Sequence, residues 1–310
     1  MRLLIAEQDH AIYAQRLSAI RADLQCVAAC DSEILEAQAA TCEVWLGEPS
    51  LLAPLLRQGL RPRWLQSTWA GITPLLADDL PRDYRLSRAV GIFGQVMAEY
   101  VLGHMLAHER RLFARLQSQI EQRWDNSLPR SLNGRRVLIV GCGDIGQRVA
   151  EFLLPFGVLL RGIASQPRRQ VPFSEVTGLE SLAEQVGWAD YVVNLLPDTP
   201  ATRDIYDAAL LACFRPEALL INSGRGTAVV EADLVAALER QQLAGAVIDV
   251  CREEPLPPGH PFWTAPRLLL TGHSSAPTDP ALMTELFLDN LARWQNRQAL
   301  RGEVDFARGY

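Results

Sequence analysis

The stretch Arg136-Val-Leu-Ile-Val-Gly-Cys-Gly-Asp-Ile-Gly146 carries the strongest structural signal in the chain. Arg136 to Val140 is a short, β-branched apolar run, the pattern of a strand buried on both faces. Gly141 to Gly146 then spell G-x-G-x-x-G, and Gln147 to Phe156 follows with helical spacing that puts Val149, Phe152 and Leu153 on one side. Strand, glycine turn and helix in that order form the dinucleotide fingerprint. Each glycine has its own physical task. Gly141 permits the tight turn, Gly143 lets the backbone approach a pyrophosphate, and Gly146 lets the helix pack close to the sheet. The first N–H groups of the helix face the phosphates. Gly141, Gly143, Asp144, Ile145 and Gly146 are therefore the expected cofactor loop.

Downstream, further apolar runs at Leu159–Ala164, Tyr191–Leu195, Ala218–Ile221, Ala246–Val250 and Leu268–Thr271 alternate with helical segments. Six strands with intervening helices predict a doubly wound parallel sheet. Upstream, Leu3–Ala6, Leu24–Val27, Val44–Leu46, Trp64–Gln66 and Tyr84–Ser87 predict a smaller parallel sheet of the same α/β class. Gly91-Ile-Phe-Gly94 interrupts that pattern and feeds a long helix from Gln95, and a last helix near Pro280–Gln295 has no strand after it. The expected organisation is two Rossmann-like α/β domains: a discontinuous, flavodoxin-like substrate domain, 1–94 plus 285–310, and a cofactor domain, 95–284.

At 310 residues the chain is long enough for two cores. Its net charge of −6 offers no basic footprint for nucleic acid. The opening apolar run Met1–Ala6 is too short for a signal peptide, and no run of about 18 apolar residues exists to span a membrane. Six cysteines show no C-x-x-C pair and read as buried small hydrophobes in a reducing compartment, so a cytoplasmic protein is expected. His104 and His108 stand at i, i+4 without the acidic residue of H-E-x-x-H, and no metal site is expected.

An NAD-preferring fold places an acid at the end of the second strand to accept the ribose 2′-hydroxyl. Here that strand ends in Ala164-Ser165, followed by Gln166-Pro-Arg168-Arg169. With no carboxylate to repel a 2′-phosphate, and Ser165, Arg168 and Arg169 available to bind one, the chain is expected to prefer NADP, with NAD possible.

Three later stretches stand at strand C-termini, where ligands bind in open α/β sheets. They place Arg225 in Ile221-Asn-Ser-Gly-Arg-Gly-Thr227, Glu254 in Ile248-Asp-Val-Cys-Arg-Glu-Glu-Pro-Leu256, and His273 in Leu270-Thr-Gly-His-Ser274. With Gly141–Gly146, Leu195-Leu-Pro-Asp-Thr-Pro-Ala-Thr202, Asn222–Gly226 with Glu231, and Asp249 to Pro257, these stretches resemble the D-isomer-specific 2-hydroxyacid dehydrogenase family over nearly the whole chain. The resemblance implies a catalytic trio of Arg225, Glu254 and His273. It implies cofactor contacts at Leu196, Pro197, Thr202 and Asp249, the last to the nicotinamide carboxamide. It also implies that Trp69-Ala70-Gly71 offers backbone N–H groups to a substrate carboxylate, and that a homodimer forms through the cofactor domain using the Gln95–Leu112 helix. In character the chain is most similar to the glyoxylate and hydroxypyruvate reductases.

The chemistry suits the residue types. Reduction of a small 2-keto acid needs a proton for the developing alkoxide, and His273 is the expected general acid, with its ordinary pKa near working pH. Glu254 would orient the imidazole, and the fork of Arg225 would bind the substrate carboxylate or polarise the keto oxygen. Trp45, Trp69, the Gly47–Ser50 loop and the Pro261–Trp263 segment are candidates for substrate selectivity, Trp45 among them for substrate contact, and all read equally as core aromatics. Two other readings remain at this point: an NAD-dependent, phosphoglycerate dehydrogenase-like enzyme, and a dinucleotide-sensing binding protein on the same fold.

Overall fold

Residues buried on both faces of a sheet need no polar alternation, and the strands of this chain are short unbroken apolar runs. The computed structural model describes residues 1–307. Within it the chain divides into two units: Met1–Ile92 together with the segment from Thr278 onward, and Phe93–Pro277.

In the first unit β1 (Arg2–Ala6), α1 (His10–Ile20), β2 (Gln25–Ala29), α2 (Ser32–Ala39), β3 (Val44–Gly47), α3 (Pro49–Arg57), β4 (Trp64–Ser67) and β5 (Arg85–Ser87) alternate. The strands pair in parallel in the order β2-β1-β3-β4-β5, the flavodoxin-like order. The second unit holds α4 (Gly94–Glu109), α5 (Leu112–Ile120), β6 (Arg136–Val140), α6 (Asp144–Leu153), β7 (Leu159–Ile163), β8 (Glu175–Thr177), α7 (Leu182–Trp188), β9 (Tyr191–Asn194), α8 (Ala208–Leu211), β10 (Leu219–Asn222), α9 (Glu231–Glu239), β11 (Gly245–Ile248) and β12 (Leu268–Leu270). Its parallel sheet runs β12-β11-β10-β9-β6-β7-β8, with the strand order reversing between β6 and β9. Leu138, Val192, Leu220 and Ile248 enter one core, while Val137, Ile139, Val193, Ile221 and Val247 enter the other. This double burial explains the missing alternation in the sequence.

The last helix, α10 (Pro280–Gln295), belongs to the first unit. Phe287 stacks on Trp64 with ring centroids 5.3 Å apart, and Asn290 Nδ2 donates to Gln66 Oε1 at 2.8 Å. The return to this unit begins at Thr278, ahead of the expected 285, because the segment leading into α10 is already anchored: Thr278 Oγ1 donates to the Thr68 carbonyl at 3.0 Å and Asp279 caps the helix.

Several elements differ from expectation. A seventh strand, β8, extends the larger sheet; only three residues long, with Val176 alone buried, it is too short for a periodic signal. The helix after the glycine turn starts at Asp144 and ends at Leu153, with Leu154–Phe156 as a 3₁₀ turn. The long helix from Gln95 stops at Glu109, since Arg111 takes a left-handed φ of 56° and α5 starts anew. Met97, Val101 and Met105 of α4 are buried in the second unit's own core, whereas Leu112, Phe113, Leu116 and Ile120 of α5 are exposed. Of the six cysteines, Cys42 and Cys142 are buried, Cys26, Cys30 and Cys251 half-buried, and Cys213 exposed, which corrects the expectation that all six lie inside. No helix among the described residues is long and apolar enough to cross a membrane.

Candidate active site

The glycine turn has the geometry its spacing demands. Gly141 sits at φ 111°, and a Cβ there would lie 2.9 Å from the Leu195 carbonyl. A Cβ on Gly146 would lie 2.2 Å from the Gly141 carbonyl oxygen, so α6 can start this close to β6 only with glycine at that position. Gly143 differs: a Cβ there would meet nothing within 4 Å. Its missing side chain serves an open space in front of the turn. Gly143 is also the N-cap of α6 and supplies no side-chain cap to the helix. These features fit a dinucleotide pyrophosphate.

Beyond β7, Ser165, Arg168 and Arg169 are exposed and no acid stands among them. Arg168 turns back on the glycine loop, its Nη2 donating to the Cys142 carbonyl at 2.6 Å and its Nε to Gln170 Oε1 at 2.6 Å. Gln170 Nε2 in turn donates to Gln147 Oε1 at 2.6 Å. The basic turn is thus fastened to the glycine turn. Leu196 is buried and Pro197 exposed; Thr202 directs its hydroxyl inward to the Pro197 carbonyl at 2.6 Å and accepts the Thr199 N–H at 2.9 Å, so its side chain shapes this loop from within.

At the other end of the sheet, three loops bring Arg225, Glu254 and His273 together. Asn222, the last residue of β10, accepts from Asn194 Nδ2 at 2.8 Å and from the Gly224 N–H at 3.2 Å, and donates to the Arg225 carbonyl at 3.3 Å. Arg225 is half-buried, with Nη1 donating to the Gly224 carbonyl at 2.5 Å. Glu254 Oε1 accepts the Cys251 N–H at 2.8 Å, while Oε2 lies 2.7 Å from His273 Nδ1. His273 holds a left-handed backbone with φ 55°, and its N–H donates to the Asp249 carbonyl at 2.6 Å.

Electrostatics follow from this arrangement. The hydrogen bond to Glu254 raises the His273 pKa above its ordinary value; burial and the Arg225 charge pull it down, and the Glu254 and Asp249 charges support the rise. For Glu254 burial is the largest influence and acts upward, but the bonds from His273 and the Cys251 N–H, with the His273 and Arg225 charges, hold its carboxyl below the ordinary range. An ionised carboxylate behind a protonation-prone imidazole, with a guanidinium near both, can deliver a proton and hold an anion.

Sequence reasoning missed Arg252, and gave Gly226 and Glu231 no role in locking these loops. A Cβ on Gly226 would fall 2.0 Å from the Cys251 carbonyl carbon, so the Arg225 loop lies directly on the loop that carries Glu254. Arg252 ties the two, donating from Nε to the Val229 carbonyl at 2.8 Å and from Nη2 to the Thr227 carbonyl at 3.0 Å, and pairing with Asp204. Glu231 accepts the Arg252 N–H at 3.1 Å and faces His260 Nε2 at 3.2 Å. A polar run beside a proline gives no sequence signal for such a clamp.

In the first unit the candidates divide. Trp45 is fully buried among Leu4, Leu52 and Leu65, with Nε1 donating to the Cys42 carbonyl at 3.0 Å. It is a core residue, and the expectation of substrate contact is corrected. Trp69 is exposed, and its N–H donates to Ser67 Oγ at 3.0 Å. In the Pro261–Trp263 segment Phe262 is buried and Trp263 exposed. Among the described residues no group of three or more His, Cys, Asp or Glu could hold a metal ion.

Residues 102–275 match the model of the D-isomer specific 2-hydroxyacid dehydrogenase NAD binding domain. The chain belongs to the D-isomer-specific 2-hydroxyacid dehydrogenase family. The matched segment of this dehydrogenase contains the glycine loop, Arg225, Glu254 and His273. The chain is 31% identical over 274 residues, 86% of each protein, to glyoxylate/hydroxypyruvate reductase A of Photorhabdus laumondii. Among solved structures it is similar to a family member from Aeromonas salmonicida, 36% identical with a TM-score of 0.93, covering 98% of this chain and 99% of that one. It is also similar to an NADPH-dependent glyoxylate/hydroxypyruvate reductase from Sinorhizobium meliloti solved with NADP and sulfate, 26% identical with a TM-score of 0.86, covering 100% of this chain and 99% of that one.

Proposed function

We propose that the protein is an NADPH-preferring reductase of small 2-keto acids, with glyoxylate and hydroxypyruvate as its leading substrates, working in the cytoplasm. The observation that carries this reading is the 2.7 Å pairing of His273 Nδ1 with Glu254 beside Arg225 at the strand ends of a dinucleotide-type sheet. The second unit is the cofactor domain in this reading and the first the substrate domain. Gly141, Gly143, Asp144, Ile145, Gly146, Leu196, Pro197 and Asp249 would hold the dinucleotide, with Ser165, Arg168 and Arg169 for a 2′-phosphate. When bound, a reduced nicotinamide supplies hydride to the keto carbon.

The protein's own residues do the rest. Arg225 binds the substrate carboxylate or keto oxygen through its fork of donors. With Nδ1 engaged by Glu254, His273 Nε2 is the nitrogen that gives its proton to the developing alkoxide. Glu254 fixes the ring's orientation and favours the protonated imidazole. Oxidation of the 2-hydroxy acid reverses these steps, with neutral His273 as the base. The absence of an acid after β7 favours this reading over an NAD-dependent phosphoglycerate-type activity.

Mixing the protein with NADPH and a panel of 2-keto acids, and following the absorbance of the reduced nicotinamide, tests the proposal. Glyoxylate or hydroxypyruvate should be reduced with a higher kcat/KM for NADPH than for NADH, and His273→Ala should lower kcat on the order of 10²–10⁴-fold. NADPH binding without oxidation across the panel would favour a dinucleotide sensor instead. A homodimer belongs to this reading, but through the exposed apolar face of α5 (Leu112, Phe113, Leu116 and Ile120) in place of the Gln95–Leu112 helix. Light scattering should return twice the chain mass; a monomer would remove the dimer from the proposal.

A further inference from the structure

Beneath His273 runs a hydrogen-bonded chain in which two members, Tyr100 and Thr271, have no part in the proposed reaction. Tyr100 of α4 places its hydroxyl 2.8 Å from Thr271 Oγ1, which lies 2.7 Å from Asp249 Oδ1. The same carboxylate oxygen accepts the Ser274 N–H at 2.9 Å and the Ser275 N–H at 3.2 Å, and Asp249 is only 2% exposed. The Asp249 carbonyl accepts the His273 N–H at 2.6 Å. Asp249 therefore grips the catalytic turn on both sides of His273, with its main chain at the histidine and its side chain at the two residues that follow.

Proton bookkeeping along this chain has one solution. Thr271 donates its single hydroxyl proton to Asp249, so Tyr100 must donate to Thr271. Burial pushes the Tyr100 phenol up to about 12, which keeps that proton in place at working pH. The anchoring has something to hold, because His273 sits at φ 55°, a left-handed conformation that a non-glycine residue keeps only when its neighbours over-determine it.

We propose that Tyr100 is a positioning residue for His273, acting through Thr271 and Asp249 to hold the turn that aims the imidazole at Glu254. The kinetic consequence rests on the reductase reading; the effect on His273 itself does not. The charged groups facing the imidazole are Glu254, Arg225 and Asp249. If the turn loosens, the contact with Glu254 weakens and the imidazole titrates at lower pH.

The test uses Tyr100→Phe, which keeps the ring packed against His104, together with Thr271→Val, their double variant, and Thr271→Ser as the conservative rescue. Two readouts are taken: keto-acid reduction, and the NMR titration of His273 in cofactor-free protein, assigned by its loss in His273→Ala. Thr271→Val should lower kcat roughly tenfold and Tyr100→Phe roughly threefold, as small misplacements of a catalytic group do, with KM little changed. The double variant should be no slower than Thr271→Val alone, since the Tyr100 hydroxyl reaches Asp249 through Thr271. Thr271→Ser should restore the rate, and the His273 titration should move to lower pH in the Phe and Val variants. Losses that multiply in the double variant, or an unmoved His273 titration in Tyr100→Phe, would overturn the proposal. A shifted titration in a protein that reduces no keto acid would support the positioning role and sink the reductase reading alone.

Discussion

The two ends of the seven-stranded sheet are built from different materials. Around β6 and β7 the site is made of what is absent: no Cβ at Gly141, Gly143 and Gly146, no side-chain cap on α6, no acid after β7. Around β10 to β12 it is made of interlocked side chains, with Glu254 on His273, Arg252 across two loops and Asp249 under the histidine turn. The first end presents backbone to a ligand and needs space. The second aims functional groups at a point and needs contacts. Substitutions should therefore fail in opposite ways at the two ends.

Gly226 is where that contrast is sharpest, because a glycine there serves the side-chain end. Gly226→Ala forces its Cβ to 2.0 Å from the Cys251 carbonyl carbon, so the loops bearing Arg225 and Glu254 must part. A shift near 1 Å between catalytic groups is expected to lower kcat on the order of 10²-fold, with a stability loss of about 2 kcal/mol from overpacking. Gly143→Ala should behave oppositely, since its Cβ meets nothing within 4 Å. Its melting temperature should stay near that of the parent while Kd for NADPH rises about tenfold, roughly 1.4 kcal/mol. If Gly143→Ala instead unfolds the protein and leaves binding intact, the open space is not a ligand's.

Glu254→Gln probes the side-chain end through pH. His273 is held protonated above its ordinary range chiefly by Glu254, so reduction should be fast at low pH and fall as pH rises through the His273 pKa. Neutralising Glu254 lowers that pKa, and the falling limb of the kcat profile should move to lower pH, costing tenfold in rate on its alkaline side for each unit of displacement. A limb that stays in place would show that His273 is not the titrating acid. Arg168→Ala probes the other end with a smaller effect: roughly tenfold in kcat/KM for NADPH, the loss of one charge-assisted hydrogen bond, with NADH unchanged. If both cofactors suffer equally, Arg168 acts as a clamp on the Cys142 carbonyl and not as a phosphate ligand.

The same contrast decides what could be read from residues alone. Both parallel sheets were legible because double burial writes unbroken apolar runs, and the glycine turn because its spacing is a backbone requirement. The grouping of Arg225, Glu254 and His273 was legible only through motif resemblance, each being an ordinary loop residue when taken singly. Arg252, Asn194 and Tyr100 left no trace, since each acts on a partner far along the chain: Tyr100 meets Thr271 across 171 positions. The strand β8 is too brief to show a period, and the break between α4 and α5 depends on a left-handed Arg111 that no residue preference announces.

Trp45 closes the comparison with the smallest functional effect. A tryptophan near a strand end reads equally as a substrate wall or as core, and local sequence does not separate them. Here its ring is fully buried and its indole N–H donates to the Cys42 carbonyl. Trp45→Phe removes that hydrogen bond, worth about 1 kcal/mol, and leaves part of the ring volume empty, for a combined stability loss of about 2 kcal/mol. Thermal unfolding should shift downward by several degrees. KM for glyoxylate, hydroxypyruvate and NADPH should stay within twofold of the parent, because the ring is packed inside the smaller sheet's core. A changed ratio of kcat/KM between the two keto acids would return Trp45 to the substrate surface, and selectivity would then reach into the smaller sheet's core.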